Sequence, residues 1–393
     1  MTSHIAQVFD YNPVRIVKGK GSFLWDKKGK KYLDLVGGWC VATVGWAHPG
    51  MARAIAAQGR RGLYIPALFH DDDQEVFAKE LCRMAPGKMN RAIRCTSGSE
   101  AVEFAIKCAR AATGKQTVVS IGDTWHGHTY GAASLGYAWQ RTMAPRLPGF
   151  VSLPLPKTDD EARKVVKQFE KLCRRRNIAA FMSEPIWTNA GCFIPPADFY
   201  PAIERVCRKH GVLLVMDEVA TGVGRTGKMF ASEWWGIEPD IICLGKSFTG
   251  GYATMAATLV TERVWRRARG IPVYATFGWL AQDLAAVREN VRLIRDERLV
   301  ENSRRVGAEL LKLLEPLKAL KQVKEVRGIG MVFAIEFKRP IAPLIFLRCV
   351  RRGALVAFSD SRTLFFSPPL SLSSSEARQA ARILHDAVNA LAL

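Results

Sequence analysis

Asp217 closes the apolar run 212–216, and Lys246 follows a second apolar run, 241–244. A carboxylate leaving a buried strand needs a cation or hydrogen-bond donors to stay charged, and the protonated ring nitrogen of a ligand is one such partner. Lys246 lies between Leu244 and Phe248, an apolar setting that favours the neutral, nucleophilic amine. Upstream, Ser97-Gly98-Ser99 precede a segment whose apolar residues Val102, Ala105, Ile106 and Ala109 recur at helical spacing. Free backbone N–H groups beside such small residues suit a phosphate, while Ser97 with Glu100 equally fits an ordinary capping box. In 121–134 a strand pattern runs into Trp125-His126-Gly127-His128. An aromatic at the carboxyl end of a strand can stack on a planar ligand, because ligands of open α/β sheets sit outside that edge. His126 and His128 are the alternative metal ligands, but no companion carboxylate or cysteine spacing supports them, and no metal is expected.

A phosphate cradle, an aromatic plate, an acid and a desolvated lysine are together the parts needed to hold pyridoxal 5′-phosphate (PLP). The acid keeps the pyridine nitrogen protonated so that the ring accepts electrons. The lysine holds the aldehyde as a Schiff base and afterwards moves protons. Glu218 alternates to the opposite face from Asp217 and is expected to be structural.

These residues must be positioned by a sheet. Strand-like runs at 117–121, 179–182, 212–216, 241–244 and 255–260 alternate with helical stretches at 100–113, 159–175 and 197–210, which reads as an α/β fold: a mostly parallel sheet wrapped by helices. Residues 15–35 carry short alternating strands around a lysine-rich turn. From about 322 the chain again reads as strands, followed by a helix at 374–391. The expected organisation is 1–50 and 281–393 as the two parts of a smaller α+β domain, with 51–280 as the large cofactor-binding domain.

The chain of 393 residues is 48% hydrophobic, enough to bury a large core. Its 57 Lys and Arg against 36 Asp and Glu give a net charge of +21, attractive to anionic metabolites. The charges are dispersed and no basic-aromatic recognition motif accompanies them, so no nucleic-acid partner is expected. Nine cysteines without a C-x-x-C pair argue for reduced, buried thiols rather than a disulfide framework. Neither a signal-like N-terminus nor a membrane-length apolar run is present, and a cytoplasmic location is expected.

With these motifs in hand, the sequence resembles the class III PLP-dependent aminotransferases, the group of the acetylornithine, ornithine, 4-aminobutyrate and diaminopelargonate enzymes. The likeness runs from "GKGSFLWDKKGKKYLDLVGG" through "SGSEAVEFAIKCAR", "WHGHTYGA", "SEPI" and "ATFG" to "SPPL". It is most specific in "DEVATGVGRTGKMFA…PDIICLGKSFTGG", whose wording is nearest the diaminopelargonate branch. The resemblance implies the aspartate aminotransferase-like PLP-dependent transferase fold with a seven-stranded sheet. It implies that Lys246 forms the Schiff base, Asp217 binds the pyridinium nitrogen, and Val219 and Trp125 pack on the two ring faces. Gly98 and Ser99 would bind the phosphate, and Thr276 would reach the phosphate of a neighbouring subunit in a homodimer with shared sites. Glu184 matches the family's active-site glutamate, and Trp39 and Cys40 fall where the family lines its substrate entrance. The implied reaction moves an amino group from a small-molecule donor to an oxo acid; the same parts also serve an aminomutase or amino-acid racemase.

Three positions depart from the common pattern. Ala220 stands where many members have glutamine, a feature shared with the diaminopelargonate branch. His128 replaces the arginine of acetylornithine-type enzymes. In "TLFFSPPL", Phe365 occupies the position of the usual arginine, and strand alternation turns Arg362 to the opposite face. A lost bidentate arginine changes which carboxylates can be held. With Trp39, Cys40 and Phe365 the pocket reads as apolar, and the expected donor is an ω-amino acid, amine or hydrophobic amino acid.

Overall fold

The computed structural model describes His4 and residues 14–62, 64–66, 68–136, 145–175 and 177–390. A seven-stranded sheet forms its centre, in the order Met89–Cys95, Ala256–Thr261, Ile241–Leu244, Leu213–Asp217, Ile178–Ser183, Thr117–Ile121, Phe150–Leu153. Ala256–Thr261 is antiparallel to both neighbours, and the other pairings are parallel. Central strands of such a sheet are covered on both faces, which is why Ile178–Ser183, Leu213–Asp217 and Ile241–Leu244 are buried at every position.

Helices cover the two faces. Gly98–Thr113 buries Ala101, Val102, Ala105, Cys108 and Ala109 against the sheet, a stripe of small residues that lets it lie close. On the other face Asp159–Arg175 and Phe199–His210 bury Val165, Phe169, Phe199 and Ile203 with Phe181 and Leu214.

Two four-stranded sheets complete the molecule. One joins Ile16–Lys20, Phe23–Asp26 and Lys31–Asp34 to Ala354–Leu355, so that the N-terminal hairpins are closed by a strand from near the C-terminus. The other has the order Val323–Ile329, Val332–Phe337, Thr363–Phe366, Ala357–Asp360. The first of these sheets joins the two ends of the chain, and the helix Ser374–Asn389 packs into the same apolar core as the second. All nine cysteines are free thiols, eight of them buried. No helix among the described residues is long and apolar enough to cross a membrane.

Candidate active site

The parallel strands release their chains at one edge, and each exit carries a residue of interest. Leu213–Asp217 ends in Asp217, Ile241–Leu244 leads through Gly245 to Lys246, Ile178–Ser183 leads to Glu184, and Thr117–Ile121 leads to Trp125 and His126. Met89–Cys95 leads to the N-terminus of Gly98–Thr113. Gly98, Ser99, Trp125, Glu184, Asp217, Val219 and Lys246 line one cavity of about 210 Å³, joined by His126, Gly127, His128 and Ala220. That is small beside the ~300–1,000 Å³ pockets of drug-sized ligands and suits a single substituted ring.

Asp217 is buried, and its partners are specific. Its Oδ1 accepts the Val219 N–H at 3.1 Å and its Oδ2 lies 2.6 Å from His126 Nδ1. The Thr124 hydroxyl donates to the Ile121 carbonyl at 2.6 Å and therefore accepts at its own oxygen, 3.1 Å from His126 Nε2. The two ring nitrogens are thus fixed between the Thr124 hydroxyl and the Asp217 carboxylate. His126, weighed in the sequence only as a metal ligand without companions, is the partner of Asp217. The pairing spans residues 126 and 217, and its one sequence signal is that both follow strand-like runs that end at the same edge. Among the described residues no group of three or more His, Cys, Asp or Glu side chains is placed to hold a metal ion.

Glu184 is also buried, but its surroundings differ. It accepts the N–H of Trp125 at 3.1 Å, and the N–H at 3.2 Å and hydroxyl of Thr188. Burial pushes its carboxyl above the usual range, against the opposing pull of His126 and Thr188. Glu218 turns away from the cavity, where it accepts from Thr221 Oγ1, the Ala231 N–H, and the N–H and hydroxyl of Ser232 at 2.6–3.0 Å. Its work is to fix the loop after Asp217.

At the helix N-terminus, Ser97 Oγ accepts the Glu100 N–H at 3.3 Å, while Glu100 reaches back to Thr96 rather than to Ser97. Gly98 has no room for a side chain, since a Cβ there would stand 2.7 Å from Val219 Cγ1. Ser99 Oγ accepts the His128 N–H at 3.1 Å. Lys246 adopts φ +44°, a strained conformation for a residue with a Cβ, and sits partly exposed between buried neighbours.

Trp39, Cys40 and Phe365 gather beside the cavity rather than line it. Phe365 is 1% exposed and stacks on Trp39 at 5.3 Å, and both pack in one apolar cluster with Cys40, Cys192 and Ala220. Arg362 is exposed and donates to the Lys338 carbonyl, away from this cluster. Thr276 lies outside the cavity in an exposed turn, its carbonyl accepting from Tyr64 Oη at 3.0 Å.

A buried acid, a strained lysine and a helix N-terminus on one sheet edge define a transferase of the PLP type, and comparison gives the family. The "Aminotransferase class-III" family model matches residues 6–388. The chain is 32% identical to Ornithine aminotransferase 1 of Staphylococcus aureus (strain COL), over 96% of this chain and 95% of that protein. It is likewise 32% identical to the acetylornithine aminotransferase of Methanosarcina acetivorans, over 98% and 94%. Among solved structures, an amine transaminase from an uncultivated Pseudomonas species in its PLP-bound (internal aldimine) form superposes with a TM-score of 0.93 at 28% identity, covering 99% of this chain and 98% of that one. The chain belongs to the class III aminotransferases and is a PLP-dependent transaminase. These likenesses favour transamination over the aminomutase or racemase alternative.

The site suits that cofactor in this chain's own geometry. The approach of Val219 to Gly98 leaves no room for a side chain at the helix terminus, which itself lines the cavity, and Asp217 is held there by the His126 imidazole and the Val219 N–H.

Proposed function

We propose that Lys246 is the catalytic amine, that Asp217 and His126 hold the cofactor's ring nitrogen protonated, and that the donor is an apolar amine or an ω-amino acid. When bound, PLP supplies an electron sink for the carbon that bears the amino group. Lys246 would hold the cofactor through its aldehyde and, with its amine free, would take the proton from the amine-bearing carbon of the donor and return it to that of the acceptor. The N–H groups and hydroxyl at Gly98 and Ser99 take the phosphate, where the helix terminus favours negative charge. Trp125 and Val219 confine the ring from two sides. Glu184 anchors the Trp125 backbone and so sets the angle of that side chain. Thr276 serves the phosphate of a second copy, making the working unit a homodimer.

The observation that carries this reading is the convergence of Lys246, Asp217 and the Gly98 helix terminus on one small cavity. The donor class rests on the stacked Trp39–Phe365 pair beside the cavity, in which the partly exposed Trp39 offers apolar surface backed by the buried Phe365. The two curated relatives are named for ornithine and acetylornithine, and the solved neighbour for an amine. A panel of amines, ω-amino acids and α-amino acids, read by the loss of the cofactor's visible absorbance and its return with an oxo acid, tests the assignment. Amines and ω-amino acids are expected to bleach the band fastest. Lys246→Ala is expected to lose the band and all turnover while its circular dichroism stays native; turnover in that variant would remove the assignment.

A further inference from the structure

Residues 37–40 form a turn of the wrong hand. Gly37, Gly38, Trp39 and Cys40 have φ of 55°, 62°, 65° and 63° in succession. Left-handed backbone is costly for any residue with a Cβ, and chains visit it as single residues rather than in runs. At Gly37 no side chain is possible, because a Cβ would lie 2.3 Å from the Ser367 carbonyl oxygen. The N–H groups of Val41 and Ala42 both reach the Gly37 carbonyl at 2.8 Å, closing the turn. Asp34 Oδ1 accepts the N–H groups of Val36 and Gly37 at 3.0 Å and fixes its entry.

The exit is fixed from the active site. The Cys40 N–H donates to Ser367 Oγ at 3.0 Å, two residues beyond Phe365, and the Cys40 carbonyl accepts the Ser247 hydroxyl at 2.7 Å, one residue beyond Lys246. The buried guanidinium of Arg225 donates to Ser247 Oγ at 3.1 Å, to the Ala42 carbonyl at 2.6 Å and to the Pro368 carbonyl at 2.5 Å. Since Arg225 supplies the donor to Ser247 Oγ, the hydroxyl proton is directed at Cys40. The result of this scaffold is the Trp39 ring lying on Phe365.

We propose that Ser247 is a positioning residue for donor choice: its hydroxyl locks the left-handed turn that stacks Trp39 on Phe365 and ties this apolar wall to the segment bearing Lys246. The idea rests on the reading of the site given above. Ser247 Oγ touches no reacting atom, being committed to backbone on one side and to Arg225 on the other. Its loss frees a turn that has intrinsic reasons to relax, and the wall moves with it.

The test uses the holoenzyme with Ser247→Ala and Ser247→Cys, the latter keeping volume but offering only a weak donor. Hydrogen exchange of 37–42 is expected to quicken about fivefold in both, the scale of one lost hydrogen bond, while 213–217 exchanges as before. The ratio of kcat/KM for 1-phenylethylamine to that for sec-butylamine is expected to shift by about the same factor through KM, with kcat for the smaller amine within about twofold. Unchanged exchange at 37–42, or an equal fall in kcat for both amines with the ratio intact, overturns the proposal. The exchange arm needs no turnover, so it stands apart from the Lys246→Ala result on which the functional reading depends.

Discussion

Asp217 and Glu184 line the same cavity as buried carboxylates with different partners, an imidazole for one and backbone and threonine donors for the other. Glu184 pays for its place: burial raises its carboxyl above the unfolded value of about 4.3. The folded state therefore binds the proton more tightly than the unfolded chain. Its contribution favours folding at low pH and is lost as pH rises from the unfolded value through the raised folded one. Glu184→Gln does not titrate, so the melting temperature of the variant relative to the native protein is expected to move in the variant's favour between pH 4 and pH 8, measured by calorimetry. A difference that moves the other way would mean that the Trp125 and Thr188 donors outweigh burial. Asp217 and Lys246 were legible in the sequence because each ends an apolar run at the same edge. The His126–Asp217 pair was not, because nothing local distinguishes a histidine aimed at a distant carboxylate from one aimed at a metal or at solvent. The left-handed turn at 37–40 was equally hidden: Gly37 and Gly38 permit it, but Trp39 and Cys40 give no sign of it.

At the scale of elements, the five strand runs read from the sequence all appear in the central sheet, with ends shifted by at most a residue or so. They are the apolar strands that burial makes continuous. Two outer strands, Met89–Cys95 and Phe150–Leu153, were not read. As edges of the sheet they mix polar and apolar residues, and Arg91 and Arg94 interrupt the first. Helix Gly98–Thr113 shows what an edge strand positions, since its N-terminus follows Met89–Cys95 directly and meets Val219 with no space to spare. Gly98→Ala is expected to push the helix terminus away from Val219, at a cost of about 1–3 kcal/mol in stability. Titration of the cofactor-free variant with PLP, followed by absorbance, is expected to give at least about tenfold weaker binding, because the N–H groups no longer converge. Wild-type affinity in a stably folded variant would place the phosphate elsewhere.

For the whole molecule, the proposed second copy has a candidate surface. Leu68, Phe69, Tyr274 and Phe277 are 94%, 66%, 68% and 60% exposed. Tyr64 packs on Phe277 at 6.1 Å and holds the Thr276 carbonyl, so part of this apolar surface adjoins the residue assigned to the neighbour's phosphate. Aromatic surface of this kind is seldom left to water unless another molecule covers it. A two-fold pairing through it would bury the rings and would carry each Thr276 towards the other copy. It also has to overcome the repulsion of two chains of charge +21, which only a large apolar contact does at low salt. Phe277→Asp places a charge on that surface while altering no buried position of the single chain. Sedimentation is expected to show the native protein as a dimer and the variant shifted to monomer by about a hundredfold in dissociation constant, the scale of a buried unpaired charge. Activity per chain is expected to fall with the dimer fraction and to recover on raising protein concentration. A variant that sediments as the native protein does and keeps full activity would rule this surface out as the contact.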